Sequence, residues 1–194
     1  MENRRSRKWL ARNVWNIVFV AGLLLLLFNA GAKVWVLKQL LSVGLFKAEI
    51  ENKTTNANAM ATAFAYQDQK GDVVSSAELR GKVVFINFWA TWCPPCRAEM
   101  PALNELYEQF KADNRIVFLF MNEDDNVEKA NKFISSNHYS FSVMTRAGNM
   151  PAEMFGGTLP TSIVLDKQGR IVMKHEGVAS YNGTKFKQQL KSLL

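Results

Sequence analysis

The chain has 194 residues, a formal charge of +7, and apolar and charged fractions of 48% and 21%. That size suits one domain plus an appendage, and the composition excludes wholesale disorder. The charge does not describe a nucleic-acid surface: Arg4, Arg5, Arg7, Lys8 and Arg12 crowd ahead of an apolar run, and no basic stripe is interleaved with aromatics.

Residues 1–13 read as a basic cytoplasmic tail. Val14 to Ala32 is nearly free of charge and contains a five-leucine block, Leu23 to Leu27. As a helix this run rises about 28 Å, close to the ~30 Å hydrocarbon core. The flanking cations predict a single-pass transmembrane helix with the N-terminus inside and the rest outside. A second reading stays open: Ala30-Gly31-Ala32 has the small residues of a signal-peptidase site, and cleavage there would release a soluble protein. Residues 33–63 form a juxtamembrane segment and linker. Val34 to Phe46 suits either a membrane-surface helix or a core helix of the outer part, and Lys47 to Ala63 is polar and small, as in a spacer.

From residue 64 to 194 the pattern is α/β. Phe64–Gln67 and Asp72–Ser75 flank Lys70-Gly71, a hairpin signal. Val83–Trp89 is a β-branched and aromatic run, as expected of a strand covered on both faces. Helical spacing follows over Pro95–Ala112, then a buried strand over Ile116–Met121 and a short helix over Val127–Asn137. Ser162–Leu165 and Ile171–Lys174 flank the turn Asp166-Lys167-Gln168-Gly169, and Tyr181–Leu194 closes the chain as a helix. This order predicts a three-layer fold: a mixed sheet with helices on both faces.

The two cysteines, Cys93 and Cys96, sit between the Val83–Trp89 strand and the following helix. A disulfide framework needs more cysteines, spread along the chain. A zinc site needs two further ligands, and the two histidines, His138 and His175, lie far away in sequence. A redox pair is the economical reading. Proline suits a first helical turn, so Cys93 faces the free N–H groups and positive end of the helix, which favour thiolate. Lowering a thiol pKa from ~8.5 to ~7 takes about 2 kcal/mol. It multiplies thiolate roughly fifteen-fold at pH 7, while reduced nucleophilicity takes back about five-fold. The net gain is only about three-fold, so geometry and a substrate groove must supply the rest. Cys93, nearer the helix start, is the expected attacking thiol and Cys96 the resolving one.

The stretch Gly81 to Pro101, which contains Trp92-Cys93-Pro94-Pro95-Cys96, and a second stretch, Gly157-Thr158-Leu159-Pro160-Thr161, resemble the thioredoxin superfamily. Within it they are similar to the TlpA/ResA type of membrane-anchored bacterial thiol–disulfide oxidoreductases. The resemblance covers roughly residues 64–194 and implies a thioredoxin-like fold. It also implies that Pro160 is a cis-proline facing the cysteines, that Leu159 offers its backbone to an extended substrate, and that Trp92 and Pro94 contact that substrate. Pro101 matches a structural proline of the active-site helix. Glu99, three residues after Cys96, is implied as an acid that tunes the cysteine pair; the residue pattern alone also allows a solvated carboxylate near a helix start. Asn87 stands where ordinary thioredoxins carry a buried aspartate, which argues against a general cytosolic thioredoxin.

The expected activity is protein-disulfide reduction outside the bacterial cytoplasmic (inner) membrane, facing periplasm or exterior, with apocytochrome c cysteines as a substrate implied by resemblance. Its redox centre is the Cys93–Cys96 disulfide, with no other cofactor and no metal. The expected partners are protein disulfides and a membrane electron donor, a thiol–disulfide transmembrane reductase, because the outer side lacks a reducing thiol pool. Two alternative functions compete with this one. A peroxiredoxin-like thiol peroxidase needs a hydroxyl side chain three residues before Cys93, where Ala90 stands. A non-enzymatic copper metallochaperone would draw on Met144, Met150 and Met154, but their irregular spacing beside Phe155 favours packing.

Overall fold

The computed structural model describes residues 3–42, 46, 48–50 and 60–194. Two helices lead the chain, α1 (Asn3–Phe28) and α2 (Ala30–Ser42). Asn29 divides them: its side-chain oxygen accepts the Ala32 N–H at 3.0 Å, as an N-cap does. The apolar run over 14–32 is therefore shared between two helices. Among the described residues, no helix is both long and apolar enough to cross a membrane. Trp15, Ile17, Phe19 and Phe28 of α1 are exposed.

Seven strands build one sheet: β1 (Ala65–Gln67), β2 (Val73–Ser75), β3 (Val83–Trp89), β4 (Ile116–Asn122), β5 (Val143–Arg146), β6 (Thr161–Leu165) and β7 (Ile171–Glu176). Their order is β2-β1-β5-β4-β3-β6-β7. The pairs β3–β4 and β4–β5 are parallel and the others antiparallel, so the sheet is mixed, as expected. Three helices complete the domain: α3 (Pro94–Phe110), α4 (Val127–Ser136) and α5 (Thr184–Leu193).

All seven residues of β3 are buried, because the strand lies inside the sheet with both faces covered. Successive side chains point to opposite faces. Phe85 and Trp89 enter one apolar cluster, with Leu103, Phe120, Tyr181 and Phe186, while Ile86 and Phe88 enter another, with Leu119, Met121, Met154 and Ile163. Each of α3, α4 and α5 sends buried residues into the first cluster. The second is covered by short pieces instead: Leu79 from a 3-10 turn (Ser76–Leu79), Phe64, and the segment around Met154. The helical cover expected on both faces is thus one-sided. Between β5 and β6 the chain carries Gly148, Pro151, Gly156, Gly157 and Pro160, which leave room for one helical turn, closed by Met154 and Phe155 N–H groups on the Pro151 carbonyl at 2.9 and 3.0 Å.

Three further differences from the sequence reading matter. β5 was not expected, since four residues offer too short a periodic signal. The last helix begins at Thr184, and Tyr181 is a fully buried core residue ahead of it. Ala48 and Ile50, expected within a polar spacer, are buried in the first cluster; residues 47 and 51–59 of that spacer lie outside the described residues.

Candidate active site

β3 delivers the chain from the sheet interior straight into the cysteine turn. Cys93 is the N-cap residue of α3, with an extended backbone, and Pro94 and Pro95 occupy the first helical positions. The helix starts one residue earlier than expected, because prolines pre-set the backbone and lack the N–H groups that would be orphaned there. Cys93 and Cys96 form a disulfide, S–S 2.02 Å, with Cα atoms 5.3 Å apart. The Cys96 N–H donates to Cys93 Sγ at 3.2 Å, so one of the free N–H groups of the first turn points at the N-terminal sulfur. Both cysteines are buried and Trp92 beside them is exposed, with Pro94 half-buried. Pro101 lies inside α3.

The turn is held from the opposite side by Asp124, in the loop after β4. Its Oδ1 accepts the Thr91 N–H at 3.1 Å and the Thr91 hydroxyl at 2.9 Å, and its Oδ2 accepts the Asn122 amide at 2.9 Å. Thr91 leads directly into Trp92 and Cys93, so this carboxylate fixes the approach to the disulfide.

Glu99 is fully buried, not solvated. Its Oε1 accepts the Asn87 amide at 2.8 Å, and Oε2 accepts the Ala179 N–H at 3.3 Å. The second N–H of Asn87 goes to Ser162 Oγ at 2.9 Å. Register explains this contact: Asn87 of β3 stands opposite Ser162 of β6. Burial pushes the Glu99 carboxyl up from 4.5 to about 8, against the pull of the Asn87 and Ala179 hydrogen bonds. Burial, then the Glu99 charge, hold the Tyr181 phenol well above its ordinary value. An acid kept protonated near neutral pH one turn after Cys96 is able to store or return a proton during thiol exchange.

The Leu159–Pro160 bond is cis. Thr161 pairs with Phe88, so Pro160 precedes β6 at the end of the sheet where β3 runs into the cysteine turn. Leu159 is half-buried and touches both apolar clusters. Topology therefore brings Trp92, Cys93, Pro94, Cys96, Leu159 and Pro160 to one end of the sheet. Glu99 lies behind them, inside.

Sequence reasoning missed Ser162, Ala179, Tyr181 and Asp124. Ser162 did leave a trace: it and Asn87 are polar residues within apolar strand segments, where an unpaired polar group is costly. The Ala179 N–H left none, since a backbone donor carries no residue type. Met144, Met150 and Met154 join the second apolar cluster beside Phe155, which stacks on Phe88 with centroids 4.3 Å apart.

The Redoxin family matches residues 55–190. Thiol-disulfide oxidoreductase ResA of Bacillus thuringiensis (strain Al Hakam) is 33% identical over 135 residues, 69% of this chain and 74% of that protein. ResA of Halalkalibacterium halodurans is 31% identical over 128 residues, 66% of this chain and 72% of that one. Among solved structures, a putative thiol:disulfide interchange protein DsbE from Chlorobium tepidum superposes with a TM-score of 0.60 at 27% identity, covering 72% of this chain and 99% of that one. A putative thioredoxin from Neisseria meningitidis gives a TM-score of 0.57 at 30% identity, over 69% and 88% of the two chains.

Proposed function

The chain belongs to the Redoxin family and is a thiol–disulfide oxidoreductase with a thioredoxin-like fold; from that premise we propose that it reduces protein disulfides through Cys93 and Cys96. The observation that carries this reading is the disulfide at the start of α3, with Cys93 Sγ receiving the Cys96 N–H and a buried acid one turn beyond. In the reduced enzyme the Cys93 thiolate attacks a substrate disulfide, forming a mixed disulfide and releasing one substrate thiolate. Cys96 then loses its proton and attacks Cys93 Sγ; the second substrate sulfur leaves, and two electrons have passed to the substrate. Glu99, protonated in the oxidised enzyme, gives its proton to the Cys96 sulfur when the pair is reduced and, then a carboxylate, takes it back as Cys96 attacks. Trp92, Pro94, Leu159 and Pro160 form the surface on which an extended substrate segment lies, with the Leu159 backbone pairing to it.

The same reading places the domain outside the bacterial cytoplasmic membrane, anchored by the apolar run over 14–32. Support comes from five cations ahead of that run and from the exposed apolar side chains of α1. On that side, electrons must come from a membrane thiol–disulfide donor, and apocytochrome c cysteines are the substrate class that the TlpA/ResA resemblance implies.

Cys96→Ser in the full chain tests the assignment. It should accumulate partner proteins on Cys93 as mixed disulfides, released by a reductant. Trapping by Cys93→Ser alone would reverse the two roles. A pair found oxidised in membranes at steady state, with no donor able to reduce it, would mark the protein as an oxidant.

A further inference from the structure

α2 lies against the active-site helix. Val34 and Leu41 are buried with Ala98 of α3, and Val178 packs onto the same cluster. Ala98 directly precedes Glu99, and Val178 directly precedes Ala179, whose N–H reaches Glu99 Oε2. α2 thus covers the residue ahead of each end of that hydrogen bond. The chain after α2 grips the same turn through its backbone. The Phe46 carbonyl accepts the Ser180 N–H at 2.8 Å, and the Ala48 N–H donates to the Ser180 carbonyl at 3.1 Å. This segment is itself pinned: Ala48 and Ile50 are buried, and the Ile50 backbone and Gln189 side chain exchange two hydrogen bonds, 3.1 and 2.9 Å. At the other end of the turn Gly177, with φ of 99°, donates its N–H to the Pro160 carbonyl at 2.8 Å.

We propose that α2 and residues 46 and 48–50 form a clamp on the redox site: they hold the 178–180 turn, fix the Glu99 carboxyl beside the cysteine helix and keep water from it, which makes Val34, Leu41 and Ala48 positioning residues for thiol–disulfide exchange. This rests on the reading that Glu99 tunes the cysteine pair. The clamp lies ahead of the 55–190 stretch that matches the family. A passive tether would leave the carboxyl indifferent to α2; a clamp makes its burial, and so its protonation, depend on docking.

Asn87 of β3, the Ala179 N–H and Tyr181 after β7 face Glu99, with Ser162 of β6 behind Asn87. His175 of β7 touches the turn, with Nε2 3.4 Å from the Val178 carbonyl, while α3 carries Arg97 and α2 carries Lys33 and Lys38. With several titratable groups near the turn, Glu99→Gln is needed to assign any inflection. The test uses the reduced full chain in detergent and follows alkylation of Cys93 against pH. Besides the inflection of the Cys93 thiol itself, the unaltered chain should show a second one, above the ordinary carboxyl range, that Glu99→Gln removes. Val34→Asp with Leu41→Asp should move it down by about one pH unit or more as water reaches the carboxyl. The same pair should raise amide exchange at Ala179 and Ser180 roughly tenfold while β3 stays protected. Leu41→Ala should act in the same direction by less, and it decides the matter by the same criteria if the double variant does not fold. Trp35→Ser, on the exposed side of α2, should change neither readout. An inflection that the docking variants leave in place overturns the clamp alone. A profile that Glu99→Gln leaves unchanged overturns the Glu99 reading and the clamp with it.

Discussion

Glu99 and Asp124 both border the cysteine turn, one from inside α3 and one from the loop after β4. Each carboxyl accepts donors through both oxygens. Asp124 is half-buried and binds the Thr91 N–H, the Thr91 hydroxyl and the Asn122 amide. Glu99 is fully buried and, among the described residues, accepts the Asn87 amide and one longer bond from Ala179. Hydrogen bonds favour its charged form, yet burial outweighs them and the acid holds its proton to about 8. The contrast separates two uses of one functional group: Asp124 is an anchor for backbone, and Glu99 is a proton store. Solvent access, rather than residue type, makes the difference.

The largest effect removes what both acids border. Cys93→Ser should bring disulfide exchange down to the uncatalysed background in a purified assay, with neither acid able to compensate. Retained exchange would mean that the two carboxyls border something other than the reaction centre.

Next in size is the pH dependence of stability that separates the pair. The Glu99 pKa rises on folding, so its stabilising contribution is complete below 4.5 and drains away as pH rises towards about 8. The gap corresponds to roughly 5 kcal/mol. Urea midpoints of the oxidised protein should therefore fall between pH 5 and pH 9, and Glu99→Gln should flatten that fall. Stability that increases with pH across this window in the unaltered protein, and loses that rise in Glu99→Gln, would contradict a buried neutral acid.

Asp124→Ala should cost about 1–3 kcal/mol, because it strips partners from the Thr91 N–H and the Asn122 amide. Asp124→Asn, which keeps an acceptor toward Thr91, should recover part of the loss. Equal losses in the two variants would show that charge, not the acceptor, does the anchoring. The smallest effect is expected from Ser162→Ala, about 1 kcal/mol, since it leaves one N–H of Asn87 without its partner while the bond to Glu99 remains. Chemical denaturation resolves both.

Much of this was legible in the residues. The Val83–Trp89 run became an interior strand because its β-branched and aromatic side chains, on both faces, favour burial on both sides. The cysteine turn, its proline-started helix and the cis-proline before β6 also follow from local motif and resemblance. The cover of the second face did not, because a single turn around Met154 lacks a periodic signal. Nor did the burial of Ala48 and Ile50, whose neighbours in sequence are polar and whose contacts come from α5 and the 178–180 turn.

The sequence by itself determined the reactive pair, the strand and helix that present it, and the topology signal at the N-terminus, since each depends on residues adjacent or periodic in the chain. Only the tertiary structure decided the state of Glu99. Its environment is assembled from Asn87, Ala179 and Tyr181, with Ser162 behind Asn87 and α2 covering its flank, residues far from it along the chain. Whether a carboxyl is charged depends on its access to water, and that access is set by which distant segments close over it.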